Sequence, residues 1–302
     1  MALVVRYVVI VPLVLALVSF VLTSLTLFAG QKQGFMEDYA IVRLNTSMLG
    51  QTLLDSAGDD KDQSKPKDGV LGKLQGWADG KKDDVKGKLN QVAGNITDRL
   101  GVPDWYSLHI MDTCEGQFEP DATVSNPGLN TTNCTTSSPA NRLNLTRILD
   151  HELGVGPVRV SLADIKSESL QDTIDILNNA LLALFIIYVL AVGFSGLSTL
   201  FCVGALLLPA KTVMVLVNLA VASMGGLACI IGSTIITVAG SKAVASINER
   251  GAKVGVSAER GFKFHVIGWI ATGFMLAVTA FWLGHFLVLR LKARRGGKEE
   301  AS

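Results

Sequence analysis

The chain has 302 residues, 49% of them hydrophobic and only 18% charged. A soluble domain carries roughly 25% charged residues, so the shortfall excludes an ordinary water-soluble globule and points to stretches shaped by lipid. A net charge of +1 excludes a strongly basic nucleic-acid binder.

The first apolar run, Tyr7–Phe28, carries no charge. About 20 apolar residues suffice to cross a bilayer core as a helix. The run is read as an uncleaved signal-anchor. A cleaved signal peptide is the competing reading, but its apolar region is usually shorter, about 7–15 residues. Pro12 lies near the start of the run and is expected to kink it. Residues 1–30 thus form a short N-terminus and the first span.

Residues 31–173 are polar and contain five Asn-x-Ser/Thr sequons, at Asn45, Asn95, Asn130, Asn133 and Asn144. Five in one segment and none elsewhere argue that it faces the secretory lumen and then the outside. Glu37–Leu54 reads as a helix, and Asp59–Asp68, with Pro66, as a loop. From Val70 to Leu100 apolar residues recur near helical spacing, giving one or two amphipathic helices broken near Gly80. After Pro103, Tyr106, Leu108 and Ile110 alternate with Ser107, His109 and Met111, the period of a half-buried strand that ends at Cys114. Gln117–Ala140 has the composition of a loop. Cys134 lies in it, and a Cys114–Cys134 disulfide is expected in an outward-facing segment with no other cysteine. Arg142–Asp150 reads as a short helix, and Val158–Ser161 as a strand pairing with the central one.

Residues 174–289 hold three further spans, near 180–208, 213–239 and 264–289. Pro209-Ala210-Lys211 is the whole link between the first two of these, so they form a tight antiparallel hairpin. Residues 241–263 are a second outer loop, and residues 290–302 a basic tail. The sequons place the long polar segment outside. Arg290, Lys292, Arg294 and Arg295 place the C-terminus inside. Lys242, Arg250, Lys253, Arg260 and Lys263 in the second outer loop oppose that trend, and the sequons decide the orientation.

No constellation for catalysis, metal or cofactor appears. His265 and His285 are 20 residues apart on one helix, about 30 Å along its axis, and cannot ligate one haem. His151-Glu152 lacks the second histidine of a metal-binding helix. Asp112 and Glu115, beside Cys114, read as turn and surface carboxylates. The spans at 181–208, 213–239 and 264–289 lack Asp, Glu, Lys and Arg in their apolar stretches, which lowers a transporter reading. Asn218 is read as an interhelical hydrogen-bonding group. Small residues recur at four-residue spacing at Ala191/Ser195, Ala222/Gly226, Ala228/Gly232, Gly273/Ala277 and Ala280/Gly284. They pack either the bundle or neighbouring copies, the bundle being favoured.

The stretch Trp105-Tyr-Ser-Leu-His-Ile-Met-Asp-Thr-Cys-Glu-Gly116, in one long loop between the first span and three close ones, resembles the fungal Sur-seven/PalI family. Tyr39-Ala-Ile-Val-Arg-Leu-Asn-Thr-Ser47 and Gly261-Phe-Lys-Phe264, with Trp269 beyond, support the resemblance over nearly the whole chain. Trp105, Tyr106, Cys114, Glu115 and Gly116 are the residues taken as its signature. The family is similar in layout to claudins. The resemblance implies a plasma-membrane protein of eisosome-associated cortical domains, active in membrane organisation, cell-wall integrity, endocytosis and stress tolerance. The PalI branch instead implies ambient-pH sensing. The short tail after Arg295 favours the Sur-seven branch.

The expected fold is mainly α. Four transmembrane helices form a bundle, and a disulfide-stapled, glycosylated extracellular α+β domain lies between spans one and two. The expected protein is a non-enzymatic scaffold without cofactor or metal. Its partners are the lipid bilayer, neighbouring copies or cortical membrane-domain proteins, and the cell wall, with no nucleic acid. The competing expectation is a sensor subunit for ambient pH or wall stress.

Overall fold

The computed structural model describes residues 2–48, 103–120, 124, 127–138, 168–207, 212–251 and 256–299. In chain order these form α1 (Ala2–Leu27), a 3-10 turn at Glu37–Tyr39, β1 (Val42–Asn45), β2 (Trp105–Leu108), β3 (Thr113–Glu119) and β4 (Gly128–Cys134). Then follow α2 (Glu168–Leu207), α3 (Thr212–Gly251), β5 (Ser257–Arg260) and α4 (Phe262–Glu299). The chain divides into two compact units. One comprises Met1–Ala29, Leu182–Val238 and Phe262–Ser302, the other Gly30–Leu181 and Ala239–Gly261.

The helical unit is built by apolar length. Val8–Leu27, Asn179–Leu207, Thr212–Glu249 and Phe262–Arg294 are each long and apolar enough to cross a membrane. Large apolar side chains stand exposed on all four helices, among them Val11, Leu200, Leu227 and Leu283. In water such surfaces would associate, whereas lipid solvates them. The centre is packed by Ala16, Ala191, Ala222, Met275, Val278 and Trp282. Polar groups inside it bond across helices. Ser19 Oγ donates to the Ala271 carbonyl at 3.0 Å, and the Ser233 and Thr272 hydroxyls meet at 2.9 Å. Asn218 Nδ2 donates to Met214 at 2.9 Å and to Phe201 of α2 at 3.4 Å, the interhelical role its sequence position suggests.

The small-residue positions divide. Ala191, Ser195, Ala222, Gly226, Ala228 and Gly232 are buried between helices. Gly273, Ala277, Ala280 and Gly284 on α4 are exposed, and a Cβ added at Gly273 or Gly284 would meet nothing within 4 Å. The expectation that these residues pack the bundle therefore fails for α4.

The sheet unit holds five antiparallel strands in the order β4-β3-β2-β1-β5. The β2–β3 hairpin turns at Ile110-Met111, closed by the His109 N–H donating to the Asp112 carbonyl at 2.9 Å. Cys114 and Cys134 lie opposite each other on β3 and β4 and are joined by a disulfide. Four membrane-length helices, a small antiparallel sheet whose first four strands lie between the first and second of them, and this bridge form a claudin-like layout.

Four local expectations are corrected. Glu37–Leu54 is not a helix as far as it is described: a single 3-10 turn gives way to β1, whose Val42 and Leu44 are buried while β2 and β5 pair with its two edges. The strand expected to run to Cys114 is two strands joined by a turn, and β2 is buried on both faces rather than one. Gln117–Ala140 is not all loop, since β3 runs to Glu119 and β4 covers Gly128–Cys134. Residues 241–263 are not a loop either: α3 stays helical to Gly251, and β5 follows. There the Asn248 side chain imitates a strand, donating to the Ala258 carbonyl at 3.0 Å and accepting from its N–H at 2.6 Å. The helices expected at Val70–Leu100 and Arg142–Asp150, and the strand at Val158–Ser161, lie outside the described residues.

Candidate functional site

Register explains why a tryptophan and a glycine stand at the two ends of the Trp105–Gly116 stretch. The hairpin sets Trp105 directly opposite Gly116. A Cβ at Gly116 would collide with the Trp105 ring and with the backbone of Asn130 on β4. Glycine therefore opens the space across which the indole lies, so Trp105 is fully buried against Cys114 and Phe118. Ser107 pairs with Cys114, so Trp105, Ser107, Cys114 and Gly116 share one face of the sheet. Tyr106, opposite Glu115, belongs to the other face. The five signature residues are thus divided between both faces, three lining the disulfide side.

That side carries a buried polar cluster. Glu37 is delivered by the 3-10 turn, whose preceding residue, Met36, has a left-handed backbone at φ 54°. Glu37 Oε1 accepts from the Ser107 hydroxyl and lies 3.3 Å from His109 Nε2. Its Oε2 accepts from Thr131 Oγ1 at 3.4 Å. His109 Nε2 is also 3.3 Å from Ser107 Oγ, and the ring packs on Gly30, whose φ of +80° excludes most side chains. Arg43 sits nearby, 3.8 Å from Asp38 and 6.0 Å from the centre of the Trp105 ring. Burial pushes the Glu37 carboxyl up. The hydrogen bonds from His109 and Ser107 and the charges of His109 and Arg43 outweigh it, and the carboxyl is held below its ordinary value. Asp112 goes the other way. It is fully buried, and burial raises its carboxyl against the opposing pull of the Ser137 hydroxyl and His109. The expectation of a surface carboxylate is wrong for Asp112 and right only for Glu115, which meets the Asn133 amide at 3.2 Å.

Glu37, His109 and Cys114 bring an oxygen, a nitrogen and a sulfur within 4.8 Å of one another. The sulfur belongs to the disulfide and offers no thiolate, so the trio is not a metal site in this oxidation state. For the same reason its 3.5 Å approach to the Gly30 carbonyl is a contact and not a hydrogen bond. The other two cysteines, Cys202 and Cys229, are free and buried.

The sequon asparagines have different settings. Asn45 is half-buried in β1, its Oδ1 accepting from the Ser47 N–H at 3.0 Å and hydroxyl at 2.7 Å. Asn130 and Asn133 stand exposed on β4. Residues three apart on a regular strand point to opposite faces. Here the register slips between Glu115 and Gly116, so Asn133 pairs with Glu115 and Asn130 with Gln117, on one face. Asn130 accordingly donates to Glu119 at 2.8 Å on that face. Asn95 and Asn144, and also His151, lie outside the described residues. His265 is buried, and His285 stacks on Phe281 and meets the edge of Trp282.

Sequence reasoning missed Glu37, Ser107 and the burial of Asp112. Glu37 and His109 are 72 positions apart, and nothing local to either names the other.

No curated protein and no solved structure matches the chain. The SUR7/PalI family model matches residues 8–281, from the first span into the last. With four membrane-length helices and a stapled sheet behind the first, the chain belongs to the SUR7/PalI family.

Proposed function

We propose that the protein is a non-enzymatic plasma-membrane protein that organises eisosome-type cortical membrane domains, with roles in cell-wall integrity, endocytosis and stress response. Membership of the SUR7/PalI family across residues 8–281 carries this reading. The polar groups lining the disulfide face support it, because they are buried and bonded to one another rather than presented to a substrate. In this reading residues 31–173 face outward and Asn45, Asn95, Asn130, Asn133 and Asn144 are glycan acceptors. Both termini are cytoplasmic. The partners are the lipid bilayer, neighbouring copies or cortical membrane-domain proteins, and the wall. Fluorescent tagging at the C-terminus tests it: stable linear patches at the cell cortex are expected, and a diffuse or vacuolar signal overturns it.

One observation favours a second reading, a sensor of ambient pH or wall stress. His109 is buried with its Nε2 3.3 Å from Glu37 Oε1, so any change at this pair is felt inside the packed face of the sheet unit. Deletion of the gene separates the two. Failed alkaline adaptation with intact cortical patches supports the sensor, and displaced patches with normal adaptation support the scaffold.

A further inference from the structure

The sequon at Asn133 reads Asn133-Cys134-Thr135, and its middle residue is half of the disulfide. Glycosyl transfer requires the asparagine amide nitrogen to attack the anomeric carbon of a lipid-pyrophosphate oligosaccharide. The pyrophosphate leaves, the amide gives up a proton, and the hydroxyl two residues on must be free for the transferase to read. In the folded sheet every part of that tripeptide is engaged. Asn133 Nδ2 donates to Glu115 at 3.2 Å, and Cys134 is bonded to Cys114. The Thr135 hydroxyl accepts from the Thr113 N–H at 3.0 Å, while the Thr135 N–H donates to the Thr113 carbonyl at 2.9 Å. The neighbouring sequon at Asn130 has no covalent tie, and its Thr132 hydroxyl makes one exposed bond to the Glu115 carbonyl at 3.1 Å.

We infer that Asn133 is a modification site whose occupancy is set by a race between glycosyl transfer and closure of the Cys114–Cys134 bridge. Closure removes two protons and two electrons from the thiols, which pass to a disulfide oxidant of the secretory lumen. Cys114 precedes Cys134 by 20 residues, so it waits in the lumen only about 1–4 s of synthesis before its partner arrives. Thiol–disulfide exchange takes seconds or longer, so the tripeptide enters the lumen with Cys134 still reduced and stays open to transfer until the bridge closes. Transfer first is compatible with the final fold, because Asn133 is exposed and its glycan would displace only the bond to Glu115. Closure first locks the tripeptide and leaves Asn133 bare.

The inference rests on the reading that this segment faces the lumen, and the test separates the two. The full chain is translated into sealed endoplasmic-reticulum microsomes, with and without dithiothreitol, beside a Cys114→Ser variant that leaves Asn133-Cys134-Thr135 intact. Occupancy is read at each sequon by enzymatic deglycosylation in heavy-oxygen water and mass spectrometry, before degradation can select among folded forms. Asn133 occupancy should rise about two-fold or more in dithiothreitol and in Cys114→Ser, on the expectation that closure takes seconds. Asn95, with no cysteine in its tripeptide, should not change. Equal occupancy of Asn133 in all three samples with Asn95 glycosylated, including full occupancy in the oxidised chain, overturns the race and leaves the outward orientation standing. No glycan at any sequon in any sample overturns the orientation, and the race with it.

Discussion

Gly116 leaves no room for a side chain, because Asn130 backbone and the Trp105 ring occupy the position a Cβ would take. Gly116→Ala is therefore expected to cost about 1–3 kcal/mol of sheet stability, the usual scale of overpacking. Thermal unfolding of the purified protein checks this. Trp105→Ala, which empties the same space, should cost more, roughly 3–5 kcal/mol. The two buried carboxyls make opposite pH predictions. Glu37 titrates below its ordinary 4.5, so its stabilisation is present above that value and is lost as pH falls through the lowered one. Asp112 titrates above its ordinary 3.8, so it favours the fold below that value and loses this contribution as pH rises through the raised one. Glu37→Gln should lower the unfolding temperature at neutral pH and converge on the unmutated protein once the pH has fallen through the lowered Glu37 value, where both side chains are neutral. Asp112→Asn should raise it at neutral pH and likewise converge in acid. Equal shifts across the whole pH range for either variant would count against these assignments.

At the scale of elements, Gly225 and Gly273 look alike in sequence, since both are glycines inside apolar helices. A Cβ at Gly225 would come within 2.8 Å of Met275 and 3.4 Å of Phe194, whereas one at Gly273 meets nothing. Gly225→Leu is expected to destabilise the helical unit by about 1–3 kcal/mol, and Gly273→Leu to leave the unfolding temperature unchanged. Four-residue spacing shows that a helix has a small face, but the same spacing serves a face turned inward or toward lipid. The spans themselves were legible, because in lipid the requirement for a long uncharged run is nearly absolute. The sheet was legible only around Trp105–Gly116. β4 reads Gly-Leu-Asn-Thr-Thr-Asn-Cys, with Leu129 its one aliphatic side chain. It is an edge strand with polar residues on its exposed face and a slipped register, so neither hydrophobicity nor period two marks it. β1 is short enough to sit within a plausible helical pattern, and pairing on both edges overrides that local preference. α3 continues through a polar stretch because helix formation past the apolar run needs propensity and not hydropathy.

For the whole molecule, the disulfide joins the hairpin that carries the signature to an edge strand with little apolar surface of its own. A bridge closing a loop of this length, 20 residues, stabilises by about 3 kcal/mol on the chain-entropy account. A typical domain has only about 5–15 kcal/mol in total. Without the bridge, β4 is held by its backbone ladder to β3, by exposed side-chain bonds such as Asn130 to Glu119 and Asn133 to Glu115, and by Leu129 as its one aliphatic anchor. Its detachment would uncover Trp105, Phe118 and the Glu37–His109 pair together. Helices that enter the membrane by length and hydropathy do not depend on that event. Cys114→Ser is therefore expected to insert normally, with protease-protected fragments like those of the unmutated chain, and to be retained before the cell surface. Surface biotinylation beside protease mapping distinguishes these steps. Normal surface delivery of Cys114→Ser, or a Cys134 thiol open to alkylation in the unmutated protein, would show that the stapled sheet is not what the cell inspects, because the signature face would then be exposed in a form that is still exported.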